Sequence, residues 1–398
     1  MKIAAIISEY NPFHNGHKYH IEQTHNLGAT HVVAIMSGNF VQRGSASIFS
    51  KHIRAKMALL NGVDLVLELP TIWSTASAEK FAFGGVYIAN ALSCVDFLSF
   101  GSECGDINLL KSVSIELESY KFKDNLKNNL KSGISFAAAV ELSLKSSSSN
   151  NISKLILSPN NLLASNYIHA INKLKSKIKP ITIKRNKCTH DSTKIMQNFA
   201  SASLIRKNIL LNKISIINNI VPNNVKNIIN EEILKGNGPA DLLNAERAIL
   251  LKLRSMSKED IKCLPNINEG LENRIYNCIQ SCTSLNNIYD TIKTKRYSHS
   301  RIRRTILHAI LNITSDMYNM DIPYIKVLGF NNKGKEILNL AKKTSSLPII
   351  TKYSDINAAQ SDVKTLFEFE SAITDIYNML TPSIQPCSKE MTNKILII

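Results

Sequence analysis

The sequence predicts an α/β protein with a parallel, doubly wound sheet, followed by a mainly α-helical segment. Short apolar runs alternate with segments of helical character in residues 1–210, and strand signals become sparse beyond Asn212. The apolar runs end at Gly, Pro or a polar turn, as buried parallel strands do. Such alternation is typical of a parallel sheet that helices cover on both faces.

The predicted elements follow one another at short intervals. Each strand is a short apolar or β-branched run, and most helices end at Gly or a polar turn. The predicted strands are Ile3–Ile7, His31–Met36, Asp64–Leu69, Val95–Phe100 and Pro180–Lys184, and the predicted helices are Asn15–Leu27, Ser50–Leu60, Ala76–Ala91, several within 107–148, and 159–174. A further helix begins at Ser201.

The later part of the chain reads as helices with two short late strands, Tyr324–Phe330 and Leu347–Tyr353. The change of pattern near 210–225 predicts a domain boundary. We expect one domain over residues 1–215 and a mainly helical, basic domain over residues 216–398. A chain of 398 residues is long enough for two or three domains, each with its own core.

Composition excludes several classes of protein. The chain is 44% hydrophobic and 20% charged, which is ordinary for a globular protein. No apolar stretch approaches the roughly 18 residues of a membrane span, and Ile3–Ile7 is too short for a signal peptide. Seven scattered Cys without His or Cys partners at zinc spacing favour free thiols in a reducing compartment. We expect a cytoplasmic protein without metal ligands of its own.

Positive charge is concentrated in the middle of the chain. Residues 1–150 carry 13 basic and 12 acidic side chains, whereas residues 151–350 carry 31 and 13, a net charge of +18. One basic cluster lies within 173–187, and the second comprises Lys293, Lys295, Arg296, Arg301, Arg303 and Arg304. Such clusters with interleaved aromatic residues are typical of RNA-binding surfaces. The alternative is lysine drift on solvated faces of an Asn-, Lys- and Ile-rich chain.

The chemically informative segment is Glu9–His17, EYNPFHNGH, between the first strand and the first helix. Ligands of open α/β sheets bind at the carboxyl ends of the strands, and a helix N-terminus there attracts phosphate. His14 and His17 are three residues apart, so both can face one pocket and donate hydrogen bonds to phosphate oxygens. Gly16 between them leaves room for adenine to approach the backbone.

This His-x-Gly-His motif in its strand–loop–helix context resembles the nucleotidyltransferase superfamily, which includes class I aminoacyl-tRNA synthetases. Ser201–Arg206, SASLIR, resembles the Ser-rich helix opening that holds the β- and γ-phosphates there. By that resemblance Ser203 and Arg206 would contact phosphate. The alternative for this second segment is a capped helix with one surface arginine.

Longer motifs resemble the tRNA(Met) cytidine acetate ligase family over nearly the whole chain. They are IISEYNPFHNGHKYH (6–20), MSGNFVQRG (36–44), KHIRAKMALLNGVDLVLELP (51–70), FGSE (100–103), SPNNLL (158–163), ITIKR (181–185), SASLIR (201–206), TKRYSHSRIRR (294–304) and YIKVLGFNNKGKEIL (324–338). The resemblance implies a Rossmann-like nucleotidyltransferase domain followed by a helical tRNA-recognition domain.

The same resemblance implies an ATP-dependent ligase. It would convert acetate and ATP into acetyl-adenylate, then transfer the acetyl group to N4 of the wobble cytidine of elongator tRNA(Met). ATP, accompanied by Mg²⁺, would be the cofactor, and acetate and the tRNA the substrates. Neither a membrane nor a protein partner is implied. The alternatives are a nucleotidyltransferase acting on a small phosphorylated acceptor, and a non-catalytic RNA-binding protein on the same fold.

The resemblance also implies the residues of the site. His14 and His17 would be catalytic. ATP would be bound by Ile7, Ser8, Glu9, Tyr10, Asn11, Pro12, Phe13, His14, Asn15, Gly16, His17, Lys18, Tyr19, His20, Gly101, Asn160, Arg185, Ser203 and Arg206.

Several of these assignments keep an alternative. Gly101 is expected directly after the fourth predicted strand, where a side chain would crowd the nucleotide. Asn160 would contact adenine or ribose, or else cap a helix. Arg185 would contact phosphate, or else tRNA. Ser37, Gly38 and Asn39 are expected to line the cleft, with Gln42, Arg43 and Lys51 as acetate or phosphate contacts.

Overall fold

The computed structural model describes residues 1–132, 134, 136–147, 155, 158–185, 198–268, 270–294 and 297–398. Its strands are β1 (Ile3–Ser8), β2 (His31–Ser37), β3 (Phe40–Val41), β4 (Ser45–Ala46), β5 (Leu65–Leu69), β6 (Phe97–Ser102), β7 (Lys179–Lys184), β8 (Ile325–Phe330), β9 (Ile349–Ile350) and β10 (Leu396–Ile397).

Helices make up most of the remaining described chain. They are α1 (Asn15–Asn26), α2 (Lys51–Leu59), α3 (Thr71–Ser74), α4 (Ala78–Ala91), α5 (Ile107–Glu118), α6 (Tyr120–Lys131), α7 (Phe136–Ser147), α8 (Pro159–Lys173), α9 (Ala202–Leu210), α10 (Asn223–Leu234), α11 (Glu246–Arg254), α12 (Lys258–Lys262), α13 (Leu271–Ser281), α14 (Leu285–Ile292), α15 (His299–Ile310), α16 (Ser315–Tyr318), α17 (Asn332–Thr344), α18 (Ser354–Asn357), α19 (Ser361–Asn378) and α20 (Lys389–Thr392). Two short 3₁₀ helices lie at Ile214–Ile217 and Leu242–Ala245.

A mostly parallel sheet forms the centre of the fold, in the order β10-β8-β5-β2-β1-β6-β7, with β9 beside β8. Strands β1, β2, β5, β6 and β7 pair in parallel, and β8 pairs with β5 in antiparallel orientation. The predicted α/β class with a parallel sheet is confirmed. No described helix is long and apolar enough to cross a membrane.

Side chains of the central strands alternate between two cores, as the two-residue period of a strand requires. Ala5 and Ile3 belong to the core beneath α4 and α8, whereas Ile6 belongs to the opposite core with α1, α2 and α9. A third core joins the helices α11–α15 to Phe40 of β3. The helical segment is therefore packed against the strand ends of the sheet.

Three elements differ from the sequence-based expectations. Residues 40–46 form the β3–β4 hairpin, which the Ser37–Asn39 turn signal obscured. The fourth predicted strand is β6, Phe97–Ser102 instead of Val95–Phe100, because pairing with β7 continues to Ser102. The late strand predicted at Leu347–Tyr353 is only Ile349–Ile350.

The predicted boundary between two domains at residues 215 and 216 remains a prediction. The central sheet contains strands from both sides of this boundary. Strands β8 and β10, both from the second segment, extend the sheet beyond β5. The sequence predicts a strand at Tyr324–Phe330, which is β8, but does not predict β10 at Leu396–Ile397. Local sequence also does not reveal which strand each of them pairs with.

A buried cluster of charged side chains ties this second segment to the sheet. Lys51 of α2 donates to Glu68 Oε1 of β5 at 2.7 Å and to Glu390 Oε1 of α20 at 2.6 Å. Lys326 of β8 lies 3.7 Å from Glu68 Oε2 and also pairs with Glu390. Since buried charges are tolerated only when paired, each member depends on the others.

Replacing Lys51 with Met should destabilise the protein strongly, because in the interior Glu68 would lose its closest cation and Glu390 one of its two cations. We expect the free energy of unfolding to fall by about 3–5 kcal/mol. Urea titration followed by fluorescence of Trp73, the single Trp and buried, measures this. Lys235→Met is the matched control, because Lys235 pairs with Glu231 at the surface. Equal stability of both variants would contradict the structural role of the cluster.

Candidate active site

The site begins where β1 ends and α1 starts, at the carboxyl edge of the sheet. His14 is the N-cap of α1, and its Nδ1 accepts the Gly16 backbone N–H at 3.0 Å. The His14 backbone N–H in turn donates to Nδ1 of His17 at 3.2 Å. The two rings are stacked, with centroids 3.7 Å apart. Both histidines therefore act as a reciprocal helix cap.

These hydrogen bonds fix the tautomers of both rings. A nitrogen that accepts a backbone N–H carries no hydrogen, so each neutral ring has its hydrogen on Nε2. Burial, with Arg185 and Arg206 nearby, lowers the pKa of His14 to about 3. Burial, followed by the neighbouring His14, lowers the pKa of His17 as well. Both imidazoles are neutral at pH 7 and can donate an Nε2–H bond to an anion.

The structure shows a need for glycine at position 16 that the sequence does not indicate. A Cβ at this position would lie 2.9 Å from Cε1 of His14. The absence of a side chain therefore leaves room for the capping ring itself. Whether adenine also approaches Gly16 remains a prediction.

The loop before α1 is held by contacts from distant elements. Arg54 of α2 donates to the carbonyl of Glu9, and Arg206 of α9 donates to the carbonyl of Asn11 at 2.8 Å. The side chain of Asn11 accepts the Ile48 N–H at 2.9 Å. Tyr10 adopts a φ of +44° and the Asn11–Pro12 peptide is cis. The loop conformation is thus specified by residues far away in sequence.

The structure brings Arg185, Asn160 and Gly101 together beside the histidines. Arg185 follows β7 and donates to Asn160 Oδ1 at 3.4 Å. A Cβ on Gly101 would lie 3.2 Å from Cγ of Arg185, so this glycine makes room for the arginine. Gly101 lies within β6 and not after it, because β6 runs to Ser102. The positive charge of Arg185 contributes to the lowered pKa of His14 and His17.

Asn160 does not cap α8. The N-cap is Ser158, and Asn160 lies inside the first turn, where its amide donates to Glu103 Oε1 at 2.6 Å. The capping alternative is therefore wrong. Glu103 also accepts the Asn161 backbone N–H at 2.9 Å, which anchors the start of α8 to the end of β6.

Ser201 and not Ser203 caps α9, by accepting the Leu204 N–H at 3.2 Å. The Ser203 hydroxyl lies 3.0 Å from that of Ser201. Arg206 lies near enough to His14 to lower its pKa. The α9 N-terminus thus belongs to the same edge of the sheet, and phosphate contacts by Ser203 and Arg206 stay a prediction.

Side chains of residues 7–20 divide into two groups. Those of Tyr10 and Phe13 are buried in the core, and Ile7 packs against α4. The Lys18 side chain is exposed and pairs with Glu22 at 4.0 Å. Tyr10 and Phe13, whose side chains are buried, can reach a nucleotide chiefly through their backbone. The part of the loop whose side chains face the site comprises chiefly the histidines.

Of the cleft residues predicted around the second strand, Lys51 lies in the buried ion cluster and not in the cleft. Its ammonium group is occupied by Glu68 and Glu390. The side chain of Asn39 accepts the Lys51 backbone N–H at 2.9 Å, so it caps this region of α2. The backbone N–H of Gln42 donates to Glu9 Oε1 at 3.1 Å, which places the β3–β4 hairpin beside the loop.

The described arginines of the second basic cluster differ in their surroundings. Arg301 donates to the carbonyl of Asn266 and to Asn268 Oδ1, both at 3.0 Å. Arg304 is mostly buried and reaches the carbonyl of Gln42 at 3.5 Å. Arg303 and Lys293 are exposed. Lys295 and Arg296 lie outside the described residues.

Through Arg304 and the close approach of Gly44 to the Arg303 backbone, α15 contacts the β3–β4 hairpin. This hairpin also contacts Glu9 of the histidine loop. The basic helix α15 and the histidine site are thus linked by one short hairpin. This proximity is not visible in the sequence, since more than 250 residues separate Gln42 from Arg304.

The chain is similar over nearly its whole length to proteins of one family. A family model described as HIGH Nucleotidyl Transferase matches residues 1–392. A tRNA(Met) cytidine acetate ligase of Thermoanaerobacter sp. (strain X514) is 42% identical over 95% of both chains. That of Acetivibrio thermocellus is 38% identical over the full length of both. The chain belongs to the tRNA(Met) cytidine acetate ligase family.

Solved structures agree with this membership. The crystal structure of Thermotoga maritima TmcAL bound with alpha-thio ATP has a TM-score of 0.93, 30% sequence identity and full coverage of both chains. The apo form of the same protein has a TM-score of 0.94 at the same identity. The nucleotidyltransferase fold predicted for this family member is confirmed.

Several residues that build the site of this family member were not singled out from sequence. Arg54 was quoted within a motif without a role, although an arginine among apolar helix residues signals a buried donor. Glu103 was likewise quoted without a role. Ser99 and Thr24, which contact His20, carry no local signal that sequence reasoning could have used.

Two carboxylates described beside the site, those of Glu9 and Glu103, already accept hydrogen bonds. No group of three or more His, Cys, Asp or Glu side chains is placed to hold a metal ion in the described ranges. Glu9 Oε1 accepts a backbone N–H, and both oxygens of Glu103 accept hydrogen bonds. A cation accompanying ATP would depend on phosphate oxygens and water, as Mg²⁺ commonly does.

The lowered pKa of His14 predicts a dependence of stability on pH. On acidification the unfolded chain binds the proton first, near the ordinary value of 6.5, so the free energy of unfolding falls from there towards about pH 3. His14→Asn keeps a capping acceptor but cannot titrate. Between pH 6 and 4, the free energy of unfolding of this variant should fall less steeply than that of the wild type, by up to about 1.4 kcal/mol per pH unit. Urea titrations at several pH values measure this, and identical slopes would contradict it.

Proposed function

We propose that this chain activates acetate with ATP as acetyl-adenylate and transfers the acetyl group to N4 of the wobble cytidine of elongator tRNA(Met). The observation that carries the proposal is the pair of neutral imidazole Nε2–H donors beside Arg185 and Arg206, in a chain 42% identical to a tRNA(Met) cytidine acetate ligase. ATP is the nucleotide, since a relative of 30% identity binds alpha-thio ATP.

In the first half-reaction an acetate oxygen attacks the α-phosphorus of ATP and pyrophosphate leaves. Negative charge grows on the phosphate oxygens, and His14 and His17 donate Nε2–H bonds to them. Since both rings are held by backbone N–H groups, no reorganisation is needed when this charge develops. Arg206, assisted by the N-terminus of α9 and Ser203, holds the departing pyrophosphate.

Arg185 and Asn160 form the opposite side of this proposed ATP site. The arginine is fixed by Asn160, which Glu103 fixes in turn. Such a braced guanidinium contributes charge without the entropy cost of ordering a free side chain. We place Arg185 on phosphate, since its charge acts on His14, His17 and His20 together.

In the second half-reaction the cytidine amine attacks the acetyl carbonyl and AMP leaves. The cytidine must leave the base stack to reach the adenylate. The basic helix α15 lies next to the hairpin that contacts the histidine loop, which supports tRNA binding on this side of the molecule. Mg²⁺ on the triphosphate and a cytoplasmic location complete the proposal.

The overall reaction is tested with ATP, Mg²⁺, radiolabelled acetate and a transcript of elongator tRNA(Met). After digestion we expect label in N4-acetylcytidine, and none when the wobble cytidine is replaced. ATP–pyrophosphate exchange that requires a phosphorylated acceptor instead of acetate would favour a different nucleotidyltransferase. Tight tRNA binding without either reaction would favour a non-catalytic protein.

His17→Ala should remove one donor to the reacting phosphate and leave RNA binding intact. We expect acetate-dependent ATP–pyrophosphate exchange to fall by about 10²–10³-fold, the usual cost of one such donor. His25→Ala on the same helix is the control and should retain exchange. Unchanged exchange in His17→Ala would remove this residue from the proposed mechanism.

Lys293→Ala combined with Arg303→Ala should weaken tRNA binding without changing pyrophosphate exchange, because both side chains are exposed near α15. If each contacts one phosphate, the slope of log affinity against log salt should decrease by about 1.4–1.8. Lys342→Ala with Lys343→Ala removes the same charge from the exposed end of α17. If both double variants weaken tRNA binding equally, the effect comes from the net charge of the protein and not from contacts near α15.

A further inference from the structure

A short chain of hydrogen bonds connects the third histidine of α1 to the sheet. Nε2 of His20 lies 3.0 Å from Oγ of Ser99, and this Oγ lies 2.7 Å from Oγ1 of Thr24. Oγ1 of Thr24 lies 2.8 Å from the carbonyl oxygen of His20, which closes the chain. Ser99 and Thr24 are buried, so water does not complete these contacts.

The number of available hydrogens determines which group donates in each of these three contacts. Three contacts need three hydrogens, and the two hydroxyl groups supply only two. The carbonyl can only accept, so Thr24 donates to it, and Ser99 then donates to Thr24. The third hydrogen must be on Nε2 of His20. In the neutral ring, Nδ1 therefore carries a lone pair.

The two ring nitrogens of His20 thus have the opposite roles to those of His14 and His17. In His14 and His17 Nδ1 is occupied by a backbone N–H and Nε2 is the donor. In the described part of the chain, the hydrogen bond of the His20 ring is the one at Nε2. Burial and the charge of Arg185 lower the pKa of His20 to about 4, so its ring is neutral at pH 7.

We propose that Nδ1 of His20 is the proton acceptor of the acetyl-transfer step. This inference rests on the proposed function. The cytidine N4 lone pair forms the new C–N bond, the bond between the acetyl carbon and the AMP oxygen breaks, and its electron pair leaves with AMP. The N4 proton passes to Nδ1, which gives an imidazolium that releases the proton to solvent.

A weak base is sufficient for this step, because N4 is positively charged once it has attacked and its proton is then acidic. The other groups at the site are less suited. The Nδ1 lone pairs of His14 and His17 are occupied, and Arg185 and Arg206 have no lone pair to offer. Glu9 is the competing acceptor, since only its Oε1 accepts the Gln42 N–H.

Separating the half-reactions tests the assignment. His20→Asn should reduce acetate-dependent ATP–pyrophosphate exchange far less than acetyl transfer, since adenylation needs no base. Single-turnover transfer from preformed acetyl-adenylate to saturating tRNA should fall by about 10²-fold or more. His25→Asn is the matched control on the same helix and should change neither rate.

Three results would overturn the proposal. Parallel loss of exchange and transfer would make His20 an ATP contact. Unchanged transfer would exclude it as the base. Loss of transfer in Glu9→Gln but not in His20→Asn would assign the proton to Glu9.

The tautomer is tested independently of activity by ¹⁵N NMR of histidine-labelled wild-type protein. At pH 7 Nδ1 of His20 should have the shift of an unprotonated nitrogen and Nε2 that of a protonated one, and the reverse would overturn the proposal. Ser99→Ala should reduce transfer and mix the tautomers, whereas Ser99→Thr keeps the hydroxyl and should restore both.

The two levels of proposal fail differently. If wild-type protein shows no acetate-dependent exchange and labels no cytidine, the proposed function fails whatever the tautomer. If exchange and labelling occur but transfer ignores His20, only the present inference fails.

Discussion

The site depends on one buried guanidinium. Arg54 lies in the interior and donates to the backbone carbonyls of Glu9, Ser37, Gly38 and Phe49. The carbonyls of Glu9, Ser37 and Gly38 stand where β1 and β2 end and the strand ladder no longer supplies donors, and an unpaired buried carbonyl is costly. Burial lowers the pKa of Arg54 to about 10, so it remains charged at neutral pH. Through Arg54, helix α2 therefore holds the loop that carries the histidines in place.

Protonation at the site is assigned by the backbone and by hydroxyl groups, and not by carboxylates. Backbone N–H groups turn His14 and His17 into donors, whereas Ser99 and Thr24 turn His20 into an acceptor. Burial lowers the pKa of these rings most, and the positive charge of Arg185, with that of Arg206 at His14, lowers it further, so the rings stay neutral at pH 7. Three identical side chains three residues apart thus have different properties, because each ring nitrogen meets a different partner.

The strand–loop–helix unit around His14 and His17 could be predicted from sequence, because an apolar run, a Pro-containing loop and a helix start encode it locally and its caps lie within four residues. The short β3–β4 hairpin is also local, but it was missed. The other missed features depend on distant partners. The role of Gly101 required knowing that Arg185 passes over it, and the burial of Lys51 required knowing that Glu390 reaches it. Local patterns do not specify such pairings, and longer motifs only suggest that the segments belong together.

The late arrival of β8 has a consequence for the chain as it is synthesised. Leu65 of β5 pairs with Phe330 of β8, which is 265 residues later in the chain. At about 5–20 residues per second, synthesis of that stretch takes roughly 13–53 s. During this time β5, with the sequence LVLEL, is an open apolar edge on the nascent sheet, because β8 has not emerged. Exposed edges of this kind invite pairing with other chains. The β5 edge of the nascent protein is therefore open to such pairing until residue 330 has left the tunnel.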